Sequence, residues 1–131
     1  RGEEDLSSLE TQLNETWKNA NESYEQGDYE AALNSLEQIP SIDPNFDIQS
    51  RGGYYYHLGL IYLKSEQPRQ AIEAFEQVQG SSFDSDAQWY KALSLLLTEN
   101  DVEQAKAEFQ ELISDNHPKS DAAAAILKQL K

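Results

Sequence analysis

Few side chains in this sequence are of types that could do chemistry, and their spacing argues against catalysis. The two histidines, His57 and His117, form neither a His-x-x-x-His nor a His-Glu-x-x-His pattern, so a zinc site would have to be completed by carboxylates. His57 reads as a packing or groove residue, and His117, beside Pro118, as a helix-end or turn residue. Carboxylate pairs such as Glu73/Glu76 and Glu108/Glu111 stand one helical turn apart, but general acid–base work needs a carboxyl desolvated in a cleft. These pairs fall on the polar face of helical patterns and read as solvated. Gly52-Gly53 lacks the lysine and following hydroxyl of a phosphate-binding loop. With no cysteine, thiolate catalysis, disulfides and cysteine zinc sites are excluded. Asn14-Glu15-Thr16 and Asn21-Glu22-Ser23 fit the glycosylation pattern but fall inside a predicted helix. The expectation is a protein that is not an enzyme and carries no metal or cofactor.

What remains is a set of aromatic and small residues, and the elements that must position them. Leu6, Leu9 and Leu13 lead to Ala20 and Tyr24; Ala32, Leu33 and Leu36 lead to Ile39; Ile72 and Phe75 lead to Val78; Phe109, Leu112 and Ile113 continue the stripe. This is a helical period, and no segment alternates long enough to argue a strand. Turn signals separate the stripes at Gly27-Asp28, between Pro40 and Pro44, at Gln67-Pro68, Gly80-Ser81-Ser82 and Asn100-Asp101, and between Asn116 and Pro118. Cutting there predicts about seven helices with short connections, an all-α fold. Its 131 residues suffice for one domain burying roughly 70% of its unfolded surface.

The helices repeat. Ala71 and Phe75 fall on Ala105 and Phe109 at an offset of 34 residues, which also carries Tyr55 onto Trp89, Tyr56 onto Tyr90, Gly59 onto Leu93 and Val78 onto Leu112. Ala32, Leu36 and Ile39 match Ala71, Phe75 and Val78 at an offset of 39, the excess lying between Pro44 and Tyr54. Helix pairs at a period of 34 resemble the tetratricopeptide repeat (TPR) family. Tyr55-x-x-Leu58-Gly59-x-x-Tyr62 followed by Ala71, Phe75 and Val78 carries the resemblance most fully, with Gly27, Tyr29 and Pro44 matching the first repeat. Phe83 and His117 stand where the family has proline, Glu66 and Asn100 where it has the turn glycine, and Trp17 falls one place late. The resemblance implies a solenoid of three helix-pair repeats, 13–46, 52–85 and 86–118, after an acidic lead-in or extended first helix over 1–12. A capping helix over 119–131 would present Ile126, Leu127 and Leu130 to the stack. Small residues at Ala20, Gly59, Ala32, Ala71 and Ala105 let paired helices approach, and Tyr55, Trp89, Leu36, Phe75 and Phe109 fill the space beside them.

In members of the family the first helix of each pair lines a concave groove that takes extended or helical peptides. Carried over, the groove positions are Trp17, Lys18, Asn21 and Tyr24; then Gly53, Tyr56, His57, Leu60 and Lys64; then Ala87, Tyr90, Lys91, Ser94 and Thr98. Aromatics with polar tips are enriched at binding hot spots, although the same rings could serve only to pack neighbouring first helices. The carboxylate clamp of chaperone-binding relatives is matched outright only by Asn21, with Lys91 keeping the charge, so an acidic chaperone tail is not the expected ligand.

Ten basic residues face twenty-four acidic ones, a net charge of −14. Nucleic acid and anionic lipid are therefore excluded as expected partners, and a basic or neutral peptide meets less repulsion. No apolar run approaches the roughly 20 residues of a membrane span. The chain opens on Arg1 and lacks methionine, which reads as a processed or excised piece. The lead-in Arg1-Gly2-Glu3-Glu4-Asp5 and the tract from Ser81 to Leu93 resemble bacterial membrane-anchored TPR proteins, implying a periplasmic domain behind an upstream anchor. The partner expectation is a protein or peptide. The alternative is a self-associating homo-oligomer using Leu6, Leu9 and Leu13.

Overall fold

The computed structural model describes residues 2–39, 48–80, 82–98 and 100–130, with side chains omitted for 2–10 and 48–52. The described residues form helices α1 (Gly2–Glu25), α2 (Tyr29–Glu37), α3 (Ile48–Lys64), α4 (Pro68–Glu76), α5 (Asp84–Leu96), α6 (Val102–Ser114) and α7 (Ser120–Gln129). None of them is long and apolar enough to cross a membrane. Each helix packs on the next in the chain, and α3 also touches α5. That is the contact pattern of stacked helix hairpins, in which each repeat meets only its neighbours.

Local chemistry sets the helix ends. The chain leaves α1 through Gly27 at φ +80° and α3 through Glu66 at φ +64°, the same left-handed closure at equivalent places. In both, the following amide reaches back to the last turn: Asp28 N to Ser23 O at 2.8 Å and Gln67 N to Tyr62 O at 2.8 Å. Asp28 then caps α2 by accepting from the Ala31 N–H, and Pro68 opens α4 with its fixed φ. The third hairpin turns differently. The buried Thr98 hydroxyl lies 2.7 Å from the Asp101 carboxylate and 2.9 Å from the Leu95 carbonyl, tying the end of α5 to the start of α6.

The core is a row of three clusters rather than one centre. Ala20, Ala32, Leu36, Ile39, Tyr54, Leu58, Ile61 and Ala74 join the first repeat to the second. Ala71, Phe75, Val78 and Ala87 join α4 to α5, with Tyr56, Phe83 and Tyr90 packed against them. Ala92, Leu95, Ala105, Phe109, Leu112 and Ala123 close the last hairpin against α7, helped by Ile126 and Leu127. The small-against-large pairing is literal at Gly59: a Cβ there would stand 2.4 Å from the Phe75 ring. Trp89 meets Phe109 edge-on at 5.8 Å in the next repeat.

The residue that stands at the third repeat's family proline position has found another use. His117 is buried; its Nε2–H donates to the Ser85 carbonyl at 2.7 Å, and Nδ1 accepts from the Lys119 N–H at 2.9 Å. These bonds fix its tautomer and pin the end of α6 to the start of α5. It is the turn residue expected, with a long-range anchor added.

Candidate functional site

The first helices α1, α3 and α5 present their groove positions toward one another, and rings bridge both gaps. Trp17 of α1 meets His57 of α3 edge-on at 5.7 Å and Tyr54 at 6.5 Å. On α3, His57 adjoins Tyr56 at 5.6 Å, and Tyr56 reaches Tyr90 of α5 at 6.3 Å. Tyr90 stacks on Phe75 from the second cluster at 6.0 Å. Trp17, His57, Tyr56 and Tyr90 thus form a ladder of half-buried rings across three repeats. Aromatic pairs at these separations are each worth about 0.5–1.5 kcal/mol beyond their burial. The rings do complete the packing between neighbouring first helices, and each keeps part of its surface open.

Phe83 belongs to this ladder and was missed by the sequence reading, which saw only an absent proline. Its ring stacks on Tyr56 at 4.7 Å and meets His57 at 6.0 Å. Gly53 makes room for it: a Cβ there would touch the ring at 3.4 Å. The available signal was a bulky ring just before α5 facing a side-chain-free position in α3. A loop residue has no helical period to give it a side.

The other groove positions divide. Leu60 is half-buried against the second cluster. Asn21, Lys18 and Lys64 are exposed. Tyr24 sits at the end of α1 and pairs with Tyr29 at 5.8 Å. Ser94 does not line a groove: it is 0% exposed, and its hydroxyl donates to the Tyr90 carbonyl at 2.7 Å. Ala87 and Thr98 are likewise buried. Lys91 is turned toward α6, where Nζ lies 3.6 Å from Glu108 in a notch shared with Gln88, Glu111 and Asp115. The acidic face of α6 attracts the ammonium away from the rings, which also removes the one cation that a carboxylate clamp would have kept.

The electrostatics of the ladder follow from this arrangement. Burial holds the His57 imidazole below its ordinary value and so favours the neutral ring. The Tyr56 phenol is pushed up to about 12 by burial first, then by Asp86 and the neighbouring Tyr90 and Tyr24 hydroxyls. The face is therefore aromatic, uncharged at its rings and edged by Asp86. It can hold apolar and hydrogen-bonding groups by contact; nothing in the ladder forms a nucleophile with a base.

A family model described as tetratricopeptide repeat matches residues 56–121, half of the chain. No curated protein and no solved structure matches it.

Proposed function

The chain belongs to the tetratricopeptide repeat family, a non-catalytic interaction repeat, and from that premise we propose that it is a protein-interaction module that docks a segment of a partner protein on its first-helix side. The observation that carries this reading is the ladder from Trp17 to Tyr90, with Phe83 inserted, which lays half-buried rings across all three repeats. Such rings offer large contact area at little entropic cost, and Asn21 and the tyrosine hydroxyls supply polar tips beside them. The partner is a basic or neutral segment, given the net charge of −14. The work is binding, not catalysis.

The acidic lead-in and the Ser81–Leu93 tract support placement as the extracytoplasmic domain of a membrane-anchored bacterial protein. The test is capture from a bacterial membrane extract by the wild-type domain and by a Tyr56→Ala/Tyr90→Ala variant of matched helicity. Loss of a specific captured protein is expected; undiminished capture by the folded variant refutes the groove.

A second reading, self-association of the parent protein, draws on Leu97, which is 62% exposed, and on an open groove of about 650 Å³ between α6 and α7 lined by Ile113 and Leu127. Of the leucines that suggested it, Leu13 packs on the first core cluster, while the side chains of Leu6 and Leu9 lie outside those described. A concentration-independent monomer mass in light scattering would eliminate it.

A further inference from the structure

Away from the ring ladder, a cavity of about 410 Å³ opens between α3 and α4. Leu58 and the half-buried rings of Tyr55 and Tyr62 line it, and the exposed Gln70, Glu73 and Gln77 surround its mouth. Tyr55 and Tyr62 stand two helical turns apart on one face of α3, so both rings meet whatever enters. From the neighbouring hairpin, the Glu37 carboxylate approaches the same place and accepts from the Tyr62 hydroxyl at 3.5 Å.

The chemistry of this lining is one-sided. Aromatic faces are electron-rich, Glu37 and Glu73 are anionic, and Gln70 and Gln77 can turn carbonyl oxygens inward. Among the described residues, no lysine or arginine stands within ion-pair distance of either carboxylate. Burial, then Glu37 and Glu73, raise the Tyr62 phenol, so both carboxylates act on the same hydroxyl. The described lining favours a cation, and among the described residues none is paired with its carboxylates. A guanidinium suits it better than an ammonium, since it is planar, less strongly hydrated, stacks on tyrosine and offers five N–H donors in a fork.

We propose that this cavity receives an arginine side chain from a basic segment of a partner protein, its guanidinium lying against Tyr55 and Tyr62 and bonded to Glu73 and Glu37. The site is separate from the ring ladder and adds a charged anchor point on a second side of the stack.

The probe is a short, end-blocked, otherwise neutral peptide with a single arginine, compared with its citrulline counterpart, which keeps the shape and loses the charge. Titration into the labelled wild-type domain is followed by amide shifts in a nitrogen–proton correlation spectrum. Expected are saturable shifts centred on Tyr62, Gln70, Glu73 and Gln77 with the arginine peptide and none with citrulline. Glu73→Gln, at an exposed position where folding is safe, weakens the response about threefold, the scale of one solvent-exposed ion pair. Glu103→Gln on α6 removes the same charge far from the cavity and leaves the response unchanged. Equal weakening by the two variants, an equal response to citrulline, or shifts centred on the ring ladder would each overturn the assignment. The Tyr56→Ala/Tyr90→Ala variant retains the arginine response, so failure of the groove reading and failure of this one show separately.

Discussion

Replacing Gly59 with alanine sets two opposed effects against each other, and the geometry decides the sign. In a helix interior alanine is favoured over glycine by about 0.8–1.0 kcal/mol. At Gly59, however, the added Cβ would stand 2.4, 2.6 and 2.7 Å from three atoms of the Phe75 ring. Ordinary contact begins near 3.4 Å, so Phe75 must retreat by about 1 Å into a close-packed interior. Phe75 is 3% exposed and wedged by Tyr56 and Tyr90 at 6.3 and 6.0 Å, which leaves it no free direction. Overpacking of this kind costs about 1–3 kcal/mol, and three simultaneous overlaps put it at the upper end. The net expectation is a loss of about 1–2 kcal/mol, measured as a lower urea midpoint at constant slope. Gly53 in the same helix is the control, because its Cβ would meet only Phe83, at 3.4 Å. Gly53→Ala should therefore keep most of the propensity gain and stabilise by about 0.5–1 kcal/mol. Phe75→Leu in the Gly59→Ala background should recover part of the loss, a coupling of about 1 kcal/mol in a double-mutant cycle. If both alanines stabilised equally, the close approach of α3 and α4 at Gly59 would be wrong.

Further outcomes follow from single residues. Glu66 holds a left-handed φ of +64°, so Glu66→Gly should stabilise by about 1 kcal/mol in the same unfolding assay, and destabilisation would contradict the assigned turn. His117→Ala leaves the Ser85 carbonyl and the Lys119 N–H without their partner, with an expected cost of about 2–3 kcal/mol; a change below about 0.5 kcal/mol would remove its anchoring role. Because burial lowers the folded-state pKa of His57, the unfolded chain binds more protons once pH drops below 6.5. Its stability contribution is therefore intact above that value and shrinks as pH falls through the folded pKa. Wild type should thus lose more stability than His57→Gln between about pH 7.5 and about pH 5 in urea titrations, and parallel pH profiles would refute this. Comparing against the variant cancels the relief of acidic repulsion that both proteins share.

The stack itself was legible because its cause is local and periodic. Packing needs small and large residues at set places in every hairpin, so Ala71 with Phe75 and Ala105 with Phe109 recur at a fixed interval that a one-dimensional search can find. The family resemblance placed Trp17, Tyr56, His57 and Tyr90 on one side, and a helical position fixes the direction of Cβ. It could not go past Cβ. Lys91 has a long, flexible stem, and the carboxylate of Glu108 on another helix decides where its ammonium ends. Ser94 shares the nominal side of Tyr90 but lies too deep between helices to reach the surface, a matter of interhelical distance.

Sequence alone thus determined the helical period, the repeat and the pairing of small with large, because each depends on neighbours at constant separation along the chain. Tertiary structure decided that Phe83 enters the ladder, that His117 bonds to Ser85, and that Glu37 and Glu73 flank the same tyrosine. Those outcomes join different helices and turns, where no period along the chain relates the partners and only the packed geometry brings them within a few ångströms.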